Sequence, residues 1–236
     1  MGTAPNLKFY AANVDTIVGI DFNAAMQPFA LESAAQAGVE ASKLQLVVGK
    51  AEALPLPDAC VDAVIATHVS CKAVHGVGTG AAKLVVTALR HDAEKGTEFD
   101  YLAYEAPAAP QTTTFADAVA ALPSSLPLVP FVLQLFCSVE DVPRSLSEIL
   151  RVLKPGGRYI FLEHVAAGPH SPRLRCVQCW LTPAWSVLAD GCCLNRDTLA
   201  QIEAAGFSKV EAEHLDIQLP WLGRILGPHV AGVAFK

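Results

Sequence analysis

The chain alternates between short apolar runs and amphipathic stretches, a pattern typical of an α/β protein. Four apolar runs are short enough to form buried strands, and they cover residues 16–20, 42–48, 61–67 and 159–162. Residues 26–38 and 145–153 instead carry apolar side chains at helical spacing. We therefore predict a single α/β domain over residues 1–236 with a mostly parallel sheet.

The last forty residues predict one helix and two more strands. The helix covers residues 198–205 and ends at Gly206, which favours a helix C-terminus. Apolar and β-branched residues recur at 209–215 and again at 230–235. We expect these two strands to form a hairpin-like antiparallel pair at the edge of the sheet.

Residues 71–134 interrupt this pattern. They are rich in Ala, Thr, Pro and Val, their periodicity is weak, and they are far longer than a normal strand-to-helix connection. When the segment is left out, a strand, a short loop and a helix follow one another without a break. We therefore predict either a peripheral insertion that packs poorly against the sheet or translated non-coding sequence, and we favour the second reading.

Composition and charge narrow the class of protein. Hydrophobic residues make up 52% of the chain and charged residues 17%, so we expect a folded domain. The net charge of −6 offers no basic footprint for nucleic acid. We predict no signal peptide and no transmembrane segment, because the longest apolar run, residues 126–137, is short and contains two prolines.

The seven cysteines indicate a reducing compartment, since their number is odd and the chain is not small. Cys176, Cys179 and the adjacent pair Cys192 and Cys193 could be read as four zinc thiolates. Adjacent cysteines are poor geometry for a zinc site, which normally uses two spaced pairs. We therefore predict ordinary thiols and no metal.

Asp21 is the first candidate site residue. It follows the apolar run 16–20 and precedes the helical pattern at 26–38. An acid at the end of a second Rossmann strand accepts hydrogen bonds from both hydroxyls of a ribose. The alternative is a helix cap formed by Asp21 and Asn23. The two uses are compatible, and we favour ribose binding.

Two phrases of the sequence resemble the class I S-adenosylmethionine (SAM) methyltransferases. Residues 150–157 resemble the L-K-P-G-G turn before the fifth strand of that class, and residues 49–58 resemble its G-D-A-E-x-L-P-F-P-D loop. The resemblance implies a Rossmann-like sheet, SAM as the cofactor and an adenine lined by the first residues of the loop. Lys50 stands where many members carry an aspartate, so we expect backbone groups of Ala51 and Glu52 to contact the adenine.

The same resemblance implies the remaining cofactor contacts, which are Gly2, Thr3, Asp21, Phe22 and Thr67. Residues 2–10 match only the tail of the glycine-rich turn of the class, E-x-G-x-G-x-G, and Ala4 stands where the last glycine belongs. Glycine there lets the backbone approach the cofactor. We therefore expect the first strand of the sheet to be missing and SAM to bind weakly or not at all.

Four further stretches look like the methyltransferase-like thiol S-methyltransferases, subgroup seven, and they are residues 162–168, 183–192, 206–209 and 228–236. This resemblance implies methyl transfer to a small alkyl thiol. Animal members are associated with endoplasmic reticulum and lipid droplets, so we expect an intracellular protein, cytoplasmic or peripheral to a membrane. Another small acceptor, such as a phenol, a lipid or a metabolite, stays open, as does a catalytically silent Rossmann-like binding protein.

A nearby base would raise the thiolate fraction of such an acceptor, because a free thiol has a pKa of about 8.5. His164 is the candidate, since it ends the strand beside the expected position of the methyl group. His68, at the end of the run 61–67, is the second candidate. For either residue the alternative is a polar group that simply ends a strand.

Overall fold

The computed structural model describes residues 4, 7, 14–66, 86–90, 139–189, 191–217 and 223–236. Seven strands form one sheet, and they are β1 (Thr16–Asp21), β2 (Leu44–Val48), β3 (Val61–Ala66), β4 (Val86–Arg90), β5 (Leu153–His164), β6 (Lys209–Asp216) and β7 (Pro228–Phe235). The α-helices are α1 (Gln27–Gln36), α2 (Val142–Val152), α3 (Pro172–Leu188), α4 (Thr198–Ala204) and α5 (Gly223–Leu226). Among the described residues, no helix is both long enough and apolar enough to cross a membrane.

The strand order is β2-β1-β4-β3-β5-β7-β6. β1 runs parallel to β2, and β3 runs parallel to β5. β7 runs antiparallel to both β5 and β6, and β6 forms the edge. This arrangement confirms the predicted α/β class, a Rossmann-like sheet with parallel strands and an antiparallel C-terminal edge, although four of the six described strand pairings are antiparallel.

The centre of the sheet corrects the prediction for residues 71–134. β4 comes from that segment and pairs antiparallel with β1 on one side and with β3 on the other. The expectation of a peripheral segment is therefore wrong for Val86–Arg90, and the gap expected from a missing first strand is filled. The physical reason is that β1 and β3 would otherwise expose unpaired backbone groups in the middle of the sheet. The weak periodicity of the long segment concealed this five-residue strand.

α2 connects the core to the candidate site. Its apolar face, which includes Leu146 and Ile149, is buried in a cluster with residues of β1, β3, β5 and β7. Asp141 caps the helix, because its Oδ1 accepts a hydrogen bond of 2.9 Å from the backbone N–H of Arg144. The predicted helix at residues 145–153 is thus confirmed, although it begins three residues earlier.

Five of the described strands, β1, β2, β3, β5 and β6, run in the same direction, so their carboxyl ends lie along one edge of the sheet. Asp21 ends β1 and His164 ends β5. Three strand spacings separate β1 from β5, so the two strands lie about 14 Å apart across the sheet. This edge is where ligands bind in open α/β sheets, and it holds the candidate site.

Candidate functional site

Asp21 lies at the carboxyl end of β1 and is only 5% exposed. Its Oδ1 accepts a 2.8 Å hydrogen bond from the backbone N–H of Asn23. Asn23 in turn caps the short 3-10 helix at Ala24–Met26. The predicted capping use is therefore present, with Asn23 as the cap and Asp21 holding the turn before it. A cavity of about 10 Å³ opens beside Asp21, which gives room for about one water.

The loop at residues 49–58 begins next to Asp21. The backbone N–H of Gly49 donates to the Asp21 carbonyl at 3.1 Å, and a Cβ at Gly49 would lie 2.7 Å from Pro55 Cδ. Ala51 is buried, and Glu52 is half-buried. Among the described residues no acceptor takes the backbone N–H of either residue. The loop therefore offers two unused donors close to the end of β1.

The structure brings together four of the predicted site residues, Asp21, Phe22, Ala51 and Glu52, at the ends of β1 and β2. It places His164 at the far end of the same edge. Four others, Gly2, Thr3, Thr67 and His68, lie outside the described residues. The assignment of these residues to a cofactor or to catalysis remains a prediction.

Ala4 is described, and its backbone lies in the left-handed region at φ 50°. Its side chain is buried against β1 and α1. This conformation costs an alanine about 1 kcal/mol and costs glycine nothing. The backbone at this position thus keeps the shape that suits the glycine expected from the resemblance.

Sequence reasoning missed three charged residues of α2 that contact the loop. Arg144 Nε donates to the Glu52 carbonyl at 2.9 Å, and Glu148 Oε2 accepts from the Leu54 backbone N–H at 2.7 Å. Arg151 donates to the Leu54 carbonyl at 2.9 Å and to the Leu56 carbonyl at 2.8 Å. The charges recur at i, i+4 and i+7, a spacing that usually marks a solvated helix face.

The ion pair between Arg151 and Glu148 orders this contact. Two hydrogen bonds of 2.8 and 2.7 Å join the guanidinium to the two carboxylate oxygens. The hydrogen bond from Arg151 lowers the pKa of Glu148, and the one from Glu148 raises the pKa of Arg151 above its usual value. Both groups therefore stay charged at neutral pH while they hold the loop.

His164 is fully buried at the end of β5. Its ring meets the ring of His229 edge-on, with the centroids 5.5 Å apart. Nε2 lies 3.4 Å from the Ile225 carbonyl, so Nε2 carries the proton in the neutral ring. Nδ1 has no hydrogen-bond partner within the described part of the chain. This leaves one lone pair of the ring unused.

Burial, together with a smaller effect of the neighbouring His229, lowers the pKa of His164 to about 4. Burial also lowers the pKa of His229. Both rings are therefore neutral at pH 7. A base with so low a pKa withdraws a proton weakly from a thiol whose pKa is about 8.5. The catalytic role of His164 stays a prediction, and its basicity is smaller than an exposed histidine would have.

Gln178 of α3 is a second residue that sequence reasoning missed. It is fully buried, its Oε1 accepts from the Ala167 backbone N–H at 2.7 Å, and its Nε2 donates to the Ile225 carbonyl at 2.9 Å. Gln178 therefore ties α3 to the chain after β5 and to α5. Within the described residues, no group of three His, Cys, Asp or Glu side chains could hold a metal ion.

Known proteins resemble the chain in both sequence and fold. A family model described as "Methyltransferase domain" matches residues 1–91 and 75–161. Human thiol S-methyltransferase TMT1A is 42% identical over 100 residues, which are 42% of this chain and 40% of that protein. The chain thus spans about two fifths of the length of that curated relative.

Two solved structures share the fold. A putative methyltransferase from Bacillus halodurans C-125 superposes with a TM-score of 0.53 at 13% identity, covering 100% of this chain and 89% of that one. The [4+2]-cyclase SpnF superposes with a TM-score of 0.54 at 16% identity, covering 100% and 72%. Such likeness shows the fold alone, and one fold serves several reactions. The family model extends over more than half of the residues, and with this sheet and this strand edge the chain belongs to the methyltransferase domain family.

Proposed function

We propose that the protein is a SAM-dependent methyltransferase whose acceptor is a small alkyl thiol. The observation that carries the proposal is the 42% identity to human thiol S-methyltransferase TMT1A within a chain of the methyltransferase domain family. That identity extends over 100 residues, so the activity and the acceptor of the whole relative are proposals for this chain. A small molecule, rather than nucleic acid, is the proposed partner.

In this proposal the nucleoside end of SAM would lie at the residues at the ends of β1 and β2. The carboxylate of Asp21, with Phe22 beside it, would hold the ribose, and the unused N–H donors of Ala51 and Glu52 would meet the adenine. Gly2, Thr3 and Thr67 are the further contacts in this proposal. When bound, SAM supplies a methyl group activated by its sulfonium charge.

In the proposed reaction the thiolate sulfur of the acceptor forms a bond to the methyl carbon while the sulfonium–methyl bond breaks. S-adenosylhomocysteine and a methyl thioether result, and the thiol proton leaves before or during attack. Most of the acceleration would come from holding the two sulfur atoms in line with the carbon. His164 is the proposed base, with His68 second. Because the pKa of His164 is about 4, the rate should follow the ionisation of the acceptor thiol itself.

The location is also a proposal. We place the protein inside the cell, in the cytoplasm or at the surface of an intracellular membrane. The support is the odd number of cysteines in a chain that is not small, which favours a reducing compartment.

Titration with S-adenosylhomocysteine, followed by an assay with SAM and an alkyl thiol, tests the proposal. We expect weak binding by the chain as given and tighter binding by Ala4→Gly, because glycine adopts φ 50° freely and removes a side chain. Ala59→Gly is the matched control, since Ala59 has φ 46° in another part of the chain.

Three results would contradict parts of this proposal. Failure of both the chain and Ala4→Gly to bind S-adenosylhomocysteine at millimolar concentration would refute SAM as the cofactor. Equal gains in affinity for Ala4→Gly and Ala59→Gly would mean that backbone strain, and not the cofactor turn, limits binding. Binding without methylation of any alkyl thiol would move the acceptor to a phenol, a lipid or another metabolite.

A further inference from the structure

We propose that Arg144, Glu148 and Arg151 of α2 are positioning residues for the nucleoside end of the cofactor. They would act by fixing the backbone of the loop at residues 49–58. The inference rests on the proposed function and adds to it a set of residues that touch the loop and not the cofactor.

The three residues make a continuous set of contacts with the loop backbone. They bind the carbonyl of Glu52, both backbone groups of Leu54 and the carbonyl of Leu56, at 2.7 to 2.9 Å. Every one of these bonds involves a charged side chain, and such bonds are shorter and stronger than neutral ones. Because they reach backbone atoms at three positions, they define the path of the loop and not merely its attachment.

The same contacts decide which backbone groups of the loop remain available. The carbonyls of Glu52, Leu54 and Leu56 accept from the two arginines. The carbonyl of Lys50 accepts from the Ala53 N–H at 3.2 Å. The N–H groups of Ala51 and Glu52 have no acceptor among the described residues. The pinned loop thus presents two donors in a fixed turn, which suits the acceptor nitrogens of an adenine ring.

α2 holds these three side chains in fixed positions. Its opposite face buries Leu146 and Ile149 in the core cluster, and its N-terminus is capped by Asp141. A binding group held by a packed helix is positioned more accurately than one held by a loop. Arg151 also forms an ion pair with Asp58. The side chain of Asp58 is 78% exposed, so this ion pair should add little stability. The positioning role therefore lies in the backbone contacts.

The test compares affinities for S-adenosylhomocysteine and for adenosine, measured by NMR titration of the full chain. We expect Arg151→Met and Glu148→Leu to raise Kd for both ligands about tenfold, since each removes charge-assisted hydrogen bonds to the loop. Arg151→Lys should recover part of the loss, because it keeps the charge without the two-pronged contact. Lys154→Met is the matched control, since it breaks the 2.7 Å Lys154–Asp62 ion pair, which has similar exposure and no contact to the loop.

Amide hydrogen exchange without ligand gives the second readout. In Glu148→Leu the Leu54 amide should exchange faster while the amides of β5 keep their protection. Variants that stay folded and bind both ligands as the unsubstituted chain does would refute the positioning role and leave the proposed function intact. Failure of both the unsubstituted chain and Ala4→Gly to bind either ligand would overturn both. Parallel losses in Lys154→Met would assign the effect to general stability and overturn the positioning role alone.

Discussion

Two parts of the molecule are held by opposite kinds of polar group. The loop that leaves β2 beside Asp21 is held by Arg151 and Glu148, which are charged and whose side chains are 30% and 20% exposed. At the β5 end, His164, His229 and Gln178 are fully buried and uncharged at pH 7. In both places these side chains hold backbone groups. The charged residues bind the loop at 49–58, and the buried neutral residues bind the Ile225 and Gly227 carbonyls.

The difference follows from solvent access. Near the surface a charged group keeps part of its hydration, so ordering charged side chains there costs little free energy. Such side chains can therefore hold a loop that must meet a ligand. At the buried end the desolvation of an ionised group would cost much free energy. Neutral amides and imidazoles therefore form the hydrogen bonds to the backbone instead. We infer that charged side chains fix the loop that would meet a nucleoside, while neutral groups make the β5 end a fixed wall.

The strongest test of the fixed wall is Gly232→Ala in β7. A Cβ there would meet the Glu211 carbonyl and Ala212 Cα of the adjacent strand, and would lie 2.6 Å from Phe161 Cζ. Because backbone atoms cannot move aside, we expect a loss of about 3 kcal/mol or more in unfolding free energy, measured in urea. Gly168→Ala, where the added atom meets nothing within 4 Å, is the control. Equal stability of the two variants would show that β7 adjusts easily.

Gln178→Leu should lower the unfolding free energy by about 3 kcal/mol. The substitution leaves the Ala167 N–H without its acceptor and the Ile225 carbonyl without its closer donor, and each buried group costs about 1–3 kcal/mol. Gln201→Leu on α4 removes only a 3.4 Å hydrogen bond to the Asp197 carbonyl and should change stability little. A loss below about 1 kcal/mol in Gln178→Leu would mean that water reaches this end.

Stability should fall as the pH drops from 6.5 toward 4. His164 has a pKa of about 4 when folded and 6.5 as its ordinary value. Between these values the unfolded chain binds the extra proton, so unfolding free energy falls by up to about 1.4 kcal/mol for each pH unit and levels off below pH 4. His229, whose pKa is also lowered, adds to the same slope.

Urea unfolding at several pH values measures that slope. His164→Gln cannot gain the proton and should flatten the curve between pH 6.5 and 4. His214→Gln, which changes an exposed histidine of β6, should leave the slope unchanged. If the full slope survives in His164→Gln, the imidazole of His164 is not a source of it.

Asp21→Asn should have the smallest effect on stability. Asparagine keeps the oxygen that accepts from the Asn23 N–H, so we expect a change below about 1 kcal/mol. Affinity for S-adenosylhomocysteine should nevertheless fall about tenfold, because a carboxylate binds two hydroxyls more strongly than an amide does. Asp141→Asn, at the cap of α2, is the control for both measurements. Unchanged affinity in Asp21→Asn would remove the ribose assignment.

The sequence by itself determined most of the strands and the position of Asp21 at the carboxyl end of β1. The apolar runs at 16–20, 61–67 and 159–162 predicted β1, β3 and β5, because a buried parallel strand needs an apolar run of this length. Asp21 was recognisable because an acid directly after such a run must lie at the carboxyl edge.

The tertiary structure alone decided the centre of the sheet and the partners of the buried polar groups. A five-residue strand such as Val86–Arg90 has no period that distinguishes it within a long apolar segment, and its place depends on the open edges of β1 and β3. The contacts of Arg144, Glu148 and Arg151 join residues 92 to 97 positions apart. Local patterns cannot specify such pairs, because they exist only once α2 has packed against the sheet and brought its charged face to the loop.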